Sequence, residues 1–272
     1  MIPKLSALPA PALAGVVKAK NALGAIAEIK NCTYDGATMI DLHLPCLEST
    51  DVETLRKIVK ASRLPILALN YSKKDDMDAS AAEEDRVAMM LRAIEAGAAG
   101  MDIQGYTYHR PSRDGFFGED RYSFTKGGPK EVVTDAAVID RQCALIERVH
   151  GMGAEVLLSG HPGIFMDCDT VVELALFLEQ RSPDIIKIVT AQADTEEQMA
   201  EVIRTMVALK REVRTPVSFH ANGKCGKLTR IINPLLGGQI AFCVDRFDEH
   251  STMGQLDLRT AAAIVENARR LT

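Results

Sequence analysis

The chain has 272 residues, of which 47% are hydrophobic, 25% charged and only 5% aromatic, with no Trp. That apolar share excludes intrinsic disorder and low-complexity or collagen-like architectures, and the length allows one large core built as a single domain over residues 1–272. Lys plus Arg is 32 against 37 Asp plus Glu, and no apolar run approaches the roughly 20 residues of a membrane span, so neither nucleic acid nor a membrane is an expected partner.

The first segment, MIPKLSALPAPALAGVV, has one Lys, early prolines and no clear cleavage site, and reads as mature protein rather than a signal peptide. Strand-like apolar runs then recur at 13–18, 38–44, 64–70, 100–103, 155–159, 184–190, 216–220 and 239–244. Helix-like windows lie between and after them, around 21–33, 51–62, 80–97, 134–151, 169–181, 195–213, 226–237 and 256–271. Thr195-Glu196-Glu197-Gln198 supplies a cap and two acids at one helix start, and Pro183 and Pro216 follow helix ends. Eight strand–helix alternations predict an α/β fold, a (β/α)8 TIM barrel. An open doubly wound sheet is the weaker alternative, because no G-x-G-x-x-G turn follows a strand.

One connection breaks the rhythm. Residues 104–133, after the fourth strand, form an inserted loop rich in Gly, Tyr, Phe, Arg and Asp. Loops of that length are usually lids or binding loops, and in a barrel this one leaves the face where active sites sit; a dimer contact is the alternative. The six cysteines (32, 46, 143, 168, 225 and 243) form no C-x-x-C pair, so reduced thiols and a cytoplasmic location are expected.

Polar residues inside strand patterns carry the chemistry. Lys187 stands in Asp-Ile-Ile-Lys-Ile-Val-Thr between β-branched residues. Burial disfavours an ammonium and frees an amine for imine formation with a carbonyl, although a buried ion pair or a snorkelling Lys fits equally. His161 ends the fifth strand, one strand earlier, and can shuttle protons; a purely structural histidine is the alternative. Gly223-Lys224-Cys225-Gly226-Lys227-Leu228-Thr229-Arg230 opens a helix after the seventh strand. Its amides favour an anion, and Arg230 can grip a carboxylate through two parallel hydrogen bonds. Ser251-Thr252-Met253-Gly254-Gln255 adds hydroxyl and amide donors after the eighth strand. Asp41 with His43 on the second strand, Asp102, and Ser218, His220 and Asn222 along the seventh could instead assemble a metal site, though no H-x-H or H-E-x-x-H occurs. Lys73-Lys74-Asp75-Asp76 reads as a solvated turn.

In order along the chain, Leu-Pro-Ile-Leu-Ala (64–68), Gly-Met-Asp-Ile-Gln (100–104), Leu-Leu-Ser-Gly-His (157–161), Ile-Ile-Lys-Ile (185–188), Gly-Lys-Leu-Thr-Arg (226–230), Ala-Phe (241–242) and Ser-Thr-Met-Gly-Gln (251–255) resemble type I 3-dehydroquinate dehydratase. The resemblance runs from Gly36 to Gln255. It implies a (β/α)8 barrel, a homodimer, no metal or organic cofactor, and conversion of 3-dehydroquinate to 3-dehydroshikimate plus water, a step of the shikimate pathway towards aromatic amino acids. By motif, Lys187 takes the place of the imine lysine and His161 that of the general acid/base. Arg230, Ser251 and Gln255 take those of the carboxylate contacts, and Phe242 lines the pocket. The chain departs from the family where Glu-x-Arg becomes Asp41-Leu42-His43, where Tyr71 stands for a pocket Arg with Asp75 as the nearby acid, and where Gln104, Pro162, His220 and Asn222 replace other usual residues. Asp41, His43, Tyr71, His220 and Asn222 therefore fall where the substrate hydroxyls are expected, and Arg110, Arg113 or Arg121 in the loop could supply the missing cation. A Schiff-base lyase on another carboxylated keto substrate, or a non-catalytic metabolite-binding barrel, are the alternatives that remain.

Overall fold

A computed structural model describes residues 3–71, 82–109, 124–125, 132–248, 251 and 254–270. Its elements run β1 (Ala12–Val17), α1 (Ala22–Tyr34), β2 (Met39–His43), α2 (Val52–Ala61), β3 (Ile66–Leu69), α3 (Glu83–Glu95), β4 (Gly100–Gln104) and α4 (Ala136–Gly151). They continue with β5 (Glu155–Gly160), α5 (Cys168–Glu179), β6 (Ile185–Thr190), α6 (Glu196–Glu212), β7 (Val217–Ala221), α7 (Gly226–Leu235), β8 (Ile240–Val244), β9 (Leu256–Asp257) and α8 (Leu258–Arg270). Eight strand–helix repeats with parallel pairing are the (β/α)8 class expected. The two-residue β9, which no alternation pattern marks, adds to β8 with Cys243 opposite Leu256.

Parallel strands covered on both faces read as continuous apolar runs. Accordingly β3 (ILAL) and β8 (IAFCV) are buried throughout. The polar residues buried within the strands are the exceptions. Helix starts carry their own signals. Thr195 and Gln198 form a reciprocal capping box at α6, with Glu196 and Glu197 in its first turn and Lys210 and Arg211 in its last. The side chains of Asn21, Asp51 and Asp167 accept from Gly24, Thr54 and Thr170 at the starts of α1, α2 and α5.

The chain divides into two compact units. The first comprises Met1–Asp102, Val149–Glu155 and Ile240–Thr272. Its strands pair in the order β4-β3-β2-β1-β8-β9, with Leu67 opposite Gly100, Ile40 opposite Ile66, Ala14 opposite Met39 and Ala12 opposite Ile240. The second comprises Ile103–Arg148 and Val156–Gln239, with β6 paired between β5 and β7.

Within the second unit both roots of the insertion are fastened. Gly105 N–H donates to the Ser159 carbonyl at 2.7 Å, and Val133 N–H to the Gly105 carbonyl at 3.2 Å. The buried Gln142 amide donates to the Gly105 and Thr107 carbonyls at 3.0 and 2.9 Å. Arg181 donates to Gln142 Oε1 at 2.9 Å and to the Val133 carbonyl at 3.1 Å. Residues 110–123 and 126–131, Arg110, Arg113 and Arg121 among them, lie outside the described residues, as do Lys73–Asp76.

Candidate active site

The site in the second unit grows from three adjacent strands. Lys187 on β6 stands opposite Ser159 on β5 and Ser218 on β7, so the three side chains share one sheet face. All are buried, Lys187 at 6% exposure and both serines at zero. Two residues along β7 on the same face comes His220, opposite Val189 and 5% exposed. His161 directly follows β5 and is half-buried.

Arg230 reaches this group from α7. The helix is stitched to the end of β7: Thr229 Oγ1 accepts from Ala221 N–H at 3.1 Å and donates to the Gly226 carbonyl at 2.7 Å, while Asn233 donates to the Phe219 carbonyl at 2.9 Å. Gly226 permits the approach, because a Cβ there would lie 2.7 Å from the Ala221 carbonyl oxygen. Arg230 is 8% exposed and donates from Nη2 to Asn222 Oδ1 at 3.2 Å, which fixes one edge of the guanidinium.

His220 reports how close these groups are. Burial pushes its imidazole well below the ordinary histidine range, and the charges of Arg230, Lys187 and His161 push it in the same direction. Lys187, His161, Arg230, His220 and Asn222, all singled out in the sequence, thus belong to one cluster.

The turn before α7 differs from expectation in one respect. Its backbone amides are already engaged: Lys224 N–H donates to Asp194 Oδ1 at 2.7 Å, Cys225 N–H to the Ala193 carbonyl at 2.8 Å and Gly226 N–H to the Gly223 carbonyl at 3.0 Å. Gly223, at φ +104°, is needed for that fit. The anion the turn holds is the protein's own Asp194.

In the first unit, Asp41 and His43 on β2 are 3% and 9% exposed, with His43 Nε2 3.6 Å from Asp41 Oδ2. Asp41 Oδ1 and His43 Nδ1 are both buried with no hydrogen-bond partner among the described residues. Buried polar atoms are rarely left so unless something else, such as a ligand, satisfies them. His43 stands opposite Leu69, and Leu69 opposite Asp102. Tyr71 O–H donates to Asp102 Oδ2 at 2.6 Å, and Asp102 is fully buried. Phe242, 5% exposed, lies opposite Ala14. Ser251 shares a turn with Asp248, donating to its Oδ1 at 2.8 Å and accepting its N–H at 2.9 Å. With Gln255, Lys18, Glu28 and Asp245 it lines a small cavity of about 50 Å³. Burial raises the Glu28 and Asp245 carboxyls there, with Asp35 adding to the rise at Asp245.

Three residues escaped the sequence reading. Arg86, 2% exposed on α3, pairs with Glu83 through 3.0 and 3.1 Å bonds and donates to the Asn70 carbonyl, fixing the backbone just before Tyr71. The Glu83-x-x-Arg86 spacing was a visible signal for that pair. Lys18 sits where β1 ends, and charge at a strand end was its signal. Asp194 had none, because its partner lies 30 residues on. Among the described residues no group of three or more His, Cys, Asp or Glu side chains is arranged to hold a metal ion, and no helix is long and apolar enough to cross a membrane. All six cysteines are free.

A buried lysine, a strand-end histidine and a helix-borne arginine thus stand together on a (β/α)8 scaffold. The model of the family "Type I 3-dehydroquinase" matches residues 134–271, about half of the chain. The chain belongs to the type I 3-dehydroquinase family. A 3-dehydroquinate dehydratase of Alkaliphilus oremlandii is 28% identical over 126 residues, 45% of this chain and 48% of that protein, so the match spans about half the length of that relative. Solved structures share the fold at low identity. The 3-dehydroquinate dehydratase of Geobacillus kaustophilus has a TM-score of 0.73 at 15% identity, covering 98% of this chain and 97% of the other. The type I enzyme of Clostridium difficile has a TM-score of 0.75 at 12% identity, covering 97% and 94%.

Proposed function

We propose that the chain is a Schiff-base dehydratase that converts 3-dehydroquinate to 3-dehydroshikimate and water without metal or organic cofactor. The observation that carries this reading is the cluster of buried Lys187 and Arg230 with half-buried His161 around His220, which would unite a nucleophile, a carboxylate ligand and a proton carrier.

Arg230, held by Asn222, takes the substrate carboxylate. Lys187 Nζ adds to the ketone carbon; the ketone oxygen leaves as water and a protonated imine remains. His161 removes a proton from the adjacent carbon; the released pair forms a C=C bond to the iminium carbon as the C=N⁺ π pair moves onto nitrogen, giving an enamine. The enamine expels the neighbouring hydroxyl, which collects the proton from His161 and departs as water. A further water hydrolyses the imine, regenerating the Lys187 amine and the product ketone. The net change is loss of one water.

His220 and Asn222 contact the substrate beside Arg230. Asp41, His43 and Tyr71 take hydroxyl-reading roles, and Ser251, Gln255 and Phe242 the carboxylate and lining roles, on the strength of the resemblance in their motifs. The reaction fits a homodimeric, cytoplasmic enzyme of the shikimate pathway, as in the family.

Borohydride added during turnover tests the chemistry. Reduction of the imine is expected to add the substrate's mass, less oxygen, to the peptide bearing Lys187, and Lys187→Ala is expected to show neither adduct nor turnover. Turnover that proceeds with no adduct, or an adduct on another residue, sinks the mechanism.

A further inference from the structure

We propose that the first unit carries a second binding site, between α3 and the β2–α2 connection, that takes a free amino acid with a large apolar side chain. The proposal stands apart from the Schiff-base reading, because none of its residues belongs to the Lys187 cluster.

Asn70 and Tyr71, successive residues at the end of β3, turn to different neighbours. Tyr71 O–H donates to Asp102 on β4, whereas the Asn70 amide donates to Met89 Sδ on α3 at 3.2 Å. A thioether is a weak acceptor. The other end of that amide, Asn70 Oδ1, accepts no hydrogen bond among the described residues. Asn70 is only 5% exposed, and it lines a cavity of about 470 Å³, within the size range of small-molecule sites. A buried amide so incompletely satisfied by the protein has capacity left for a ligand.

The charges around the cavity decide which ligand. Arg86 is already spent, bonded to both Glu83 oxygens and to the Asn70 backbone carbonyl. Arg92, farther along α3, is held only by the neutral Thr50, Nε donating to its carbonyl at 3.0 Å and Nη2 to its Oγ1 at 3.4 Å. Its guanidinium has no carboxylate partner among the described residues. Seven residues earlier on the same helix face, Asp85 brings an exposed carboxylate to the same cavity, and Glu48 brings another. Neither carboxylate is paired among the described residues. The Cα atoms of Asp85 and Arg92 stand about 10 Å apart along the helix, a gap that their side chains and a small ligand between them can bridge. Met89, and Pro45 with Leu47 from the β2–α2 connection, add apolar surface. Unpaired carboxylates oppose a polyanion, and an unpaired guanidinium opposes a simple cation. A zwitterion satisfies both: its carboxylate meets Arg92, its ammonium meets Asp85 and Asn70 Oδ1, and its apolar side chain covers Met89 and Leu47.

Calorimetric titration of the intact protein tests this with three probes: L-phenylalanine, 3-phenylpropionate, which lacks the ammonium, and phenethylamine, which lacks the carboxylate. Phenylalanine is expected to saturate one site, and each single-charge analogue to bind at least about tenfold more weakly. Arg92→Gln and Asp85→Asn are each expected to weaken phenylalanine about tenfold, whereas Lys187→Ala and Arg230→Lys leave its affinity within about threefold. The analogue comparison is made on wild-type protein, so it decides the question even where a variant folds poorly. No saturation by phenylalanine below about 10 mM, or an analogue that binds as tightly, overturns the site. So does affinity that survives in Arg92→Gln and is lost in Arg230→Lys, which would seat the amino acid in the Lys187 cluster. Borohydride trapping at Lys187 is independent of all these outcomes, so either reading can fail without the other.

Discussion

The two units gather groups of opposite charge. In the second, Lys187, Arg230, His161 and His220 gather cations and potential cations around one face. In the first, Asp41 and Asp102 are buried on the strands, and Glu28 and Asp245 stand near Ser251. Burial acts on both in the same way, favouring the uncharged form, yet the outcome is opposite: it lowers the His220 imidazole and raises the Glu28 and Asp245 carboxyls. The difference separates two tasks. A basic face can capture a carboxylate and attack a carbonyl, whereas an acidic one is suited to hydrogen-bonding hydroxyls.

The largest effects are expected on the basic side. His161→Ala removes the proton carrier, and kcat is expected to fall by about 10²–10⁴-fold while borohydride still traps some Lys187 adduct, because the amine remains. A loss under tenfold would assign the proton transfers to another group. Arg230→Lys keeps the charge and loses the planar fork that Asn222 orients. KM for 3-dehydroquinate is expected to rise about 10–100-fold with kcat altered much less, as steady-state kinetics at two substrate ranges can separate. An unchanged KM would move the carboxylate ligand elsewhere.

On the acidic side, Asp41→Asn tests whether the orphaned Oδ1 is kept for a ligand. A buried acceptor with no partner costs stability, and an isosteric amide lowers that cost. The variant is expected to melt a few degrees higher, about 1 kcal/mol in a chain of this size, while KM rises about tenfold. A variant that loses stability without losing affinity would make Asp41 a structural residue.

The sequence disclosed the two regions unequally. Lys187 stood out because a charged residue inside Ile-Ile-Lys-Ile interrupts an otherwise apolar, buried parallel strand. His161 and Arg230 were legible from position, one at a strand end and the other four residues into a helix opened by glycines. All eight strand–helix pairs followed from hydrophobic periodicity, which survives in any sequence that must bury both faces of a sheet. Side-chain pairing across distant segments was not legible. The turn at 223–226 looked like an anion cradle because its amides cluster, and only the fold shows Asp194 already bonded to Lys224 N–H. Tyr71 bonded to Asp102, 31 residues on, was hidden for the same reason. Local pattern encodes elements, while partnership depends on which loops the topology brings together.

The effect furthest from turnover sets the two regions against each other through acid stability. An unfolded chain protonates His220 near its ordinary value of 6.5, whereas the folded chain resists to a lower pH. As pH falls below about 6.5, the unfolded state therefore binds more protons, and this residue removes stability by up to about 1.4 kcal/mol per pH unit. Glu28 and Asp245 act in the other direction: their raised folded values make the native state the stronger proton binder above their ordinary values of 4.5 and 3.8. Their effect grows as pH falls and partly offsets that of His220. Comparison with His220→Gln isolates the imidazole, because the carboxyls are common to both proteins. Urea unfolding from pH 8 to 5 is expected to give a constant difference above pH 7.5, and a difference that shifts in favour of the variant as pH falls through 6.5. A flat difference over the whole range means that His220 titrates as freely in the folded chain as in the unfolded one, and that the cations around it are too well solvated to set its charge.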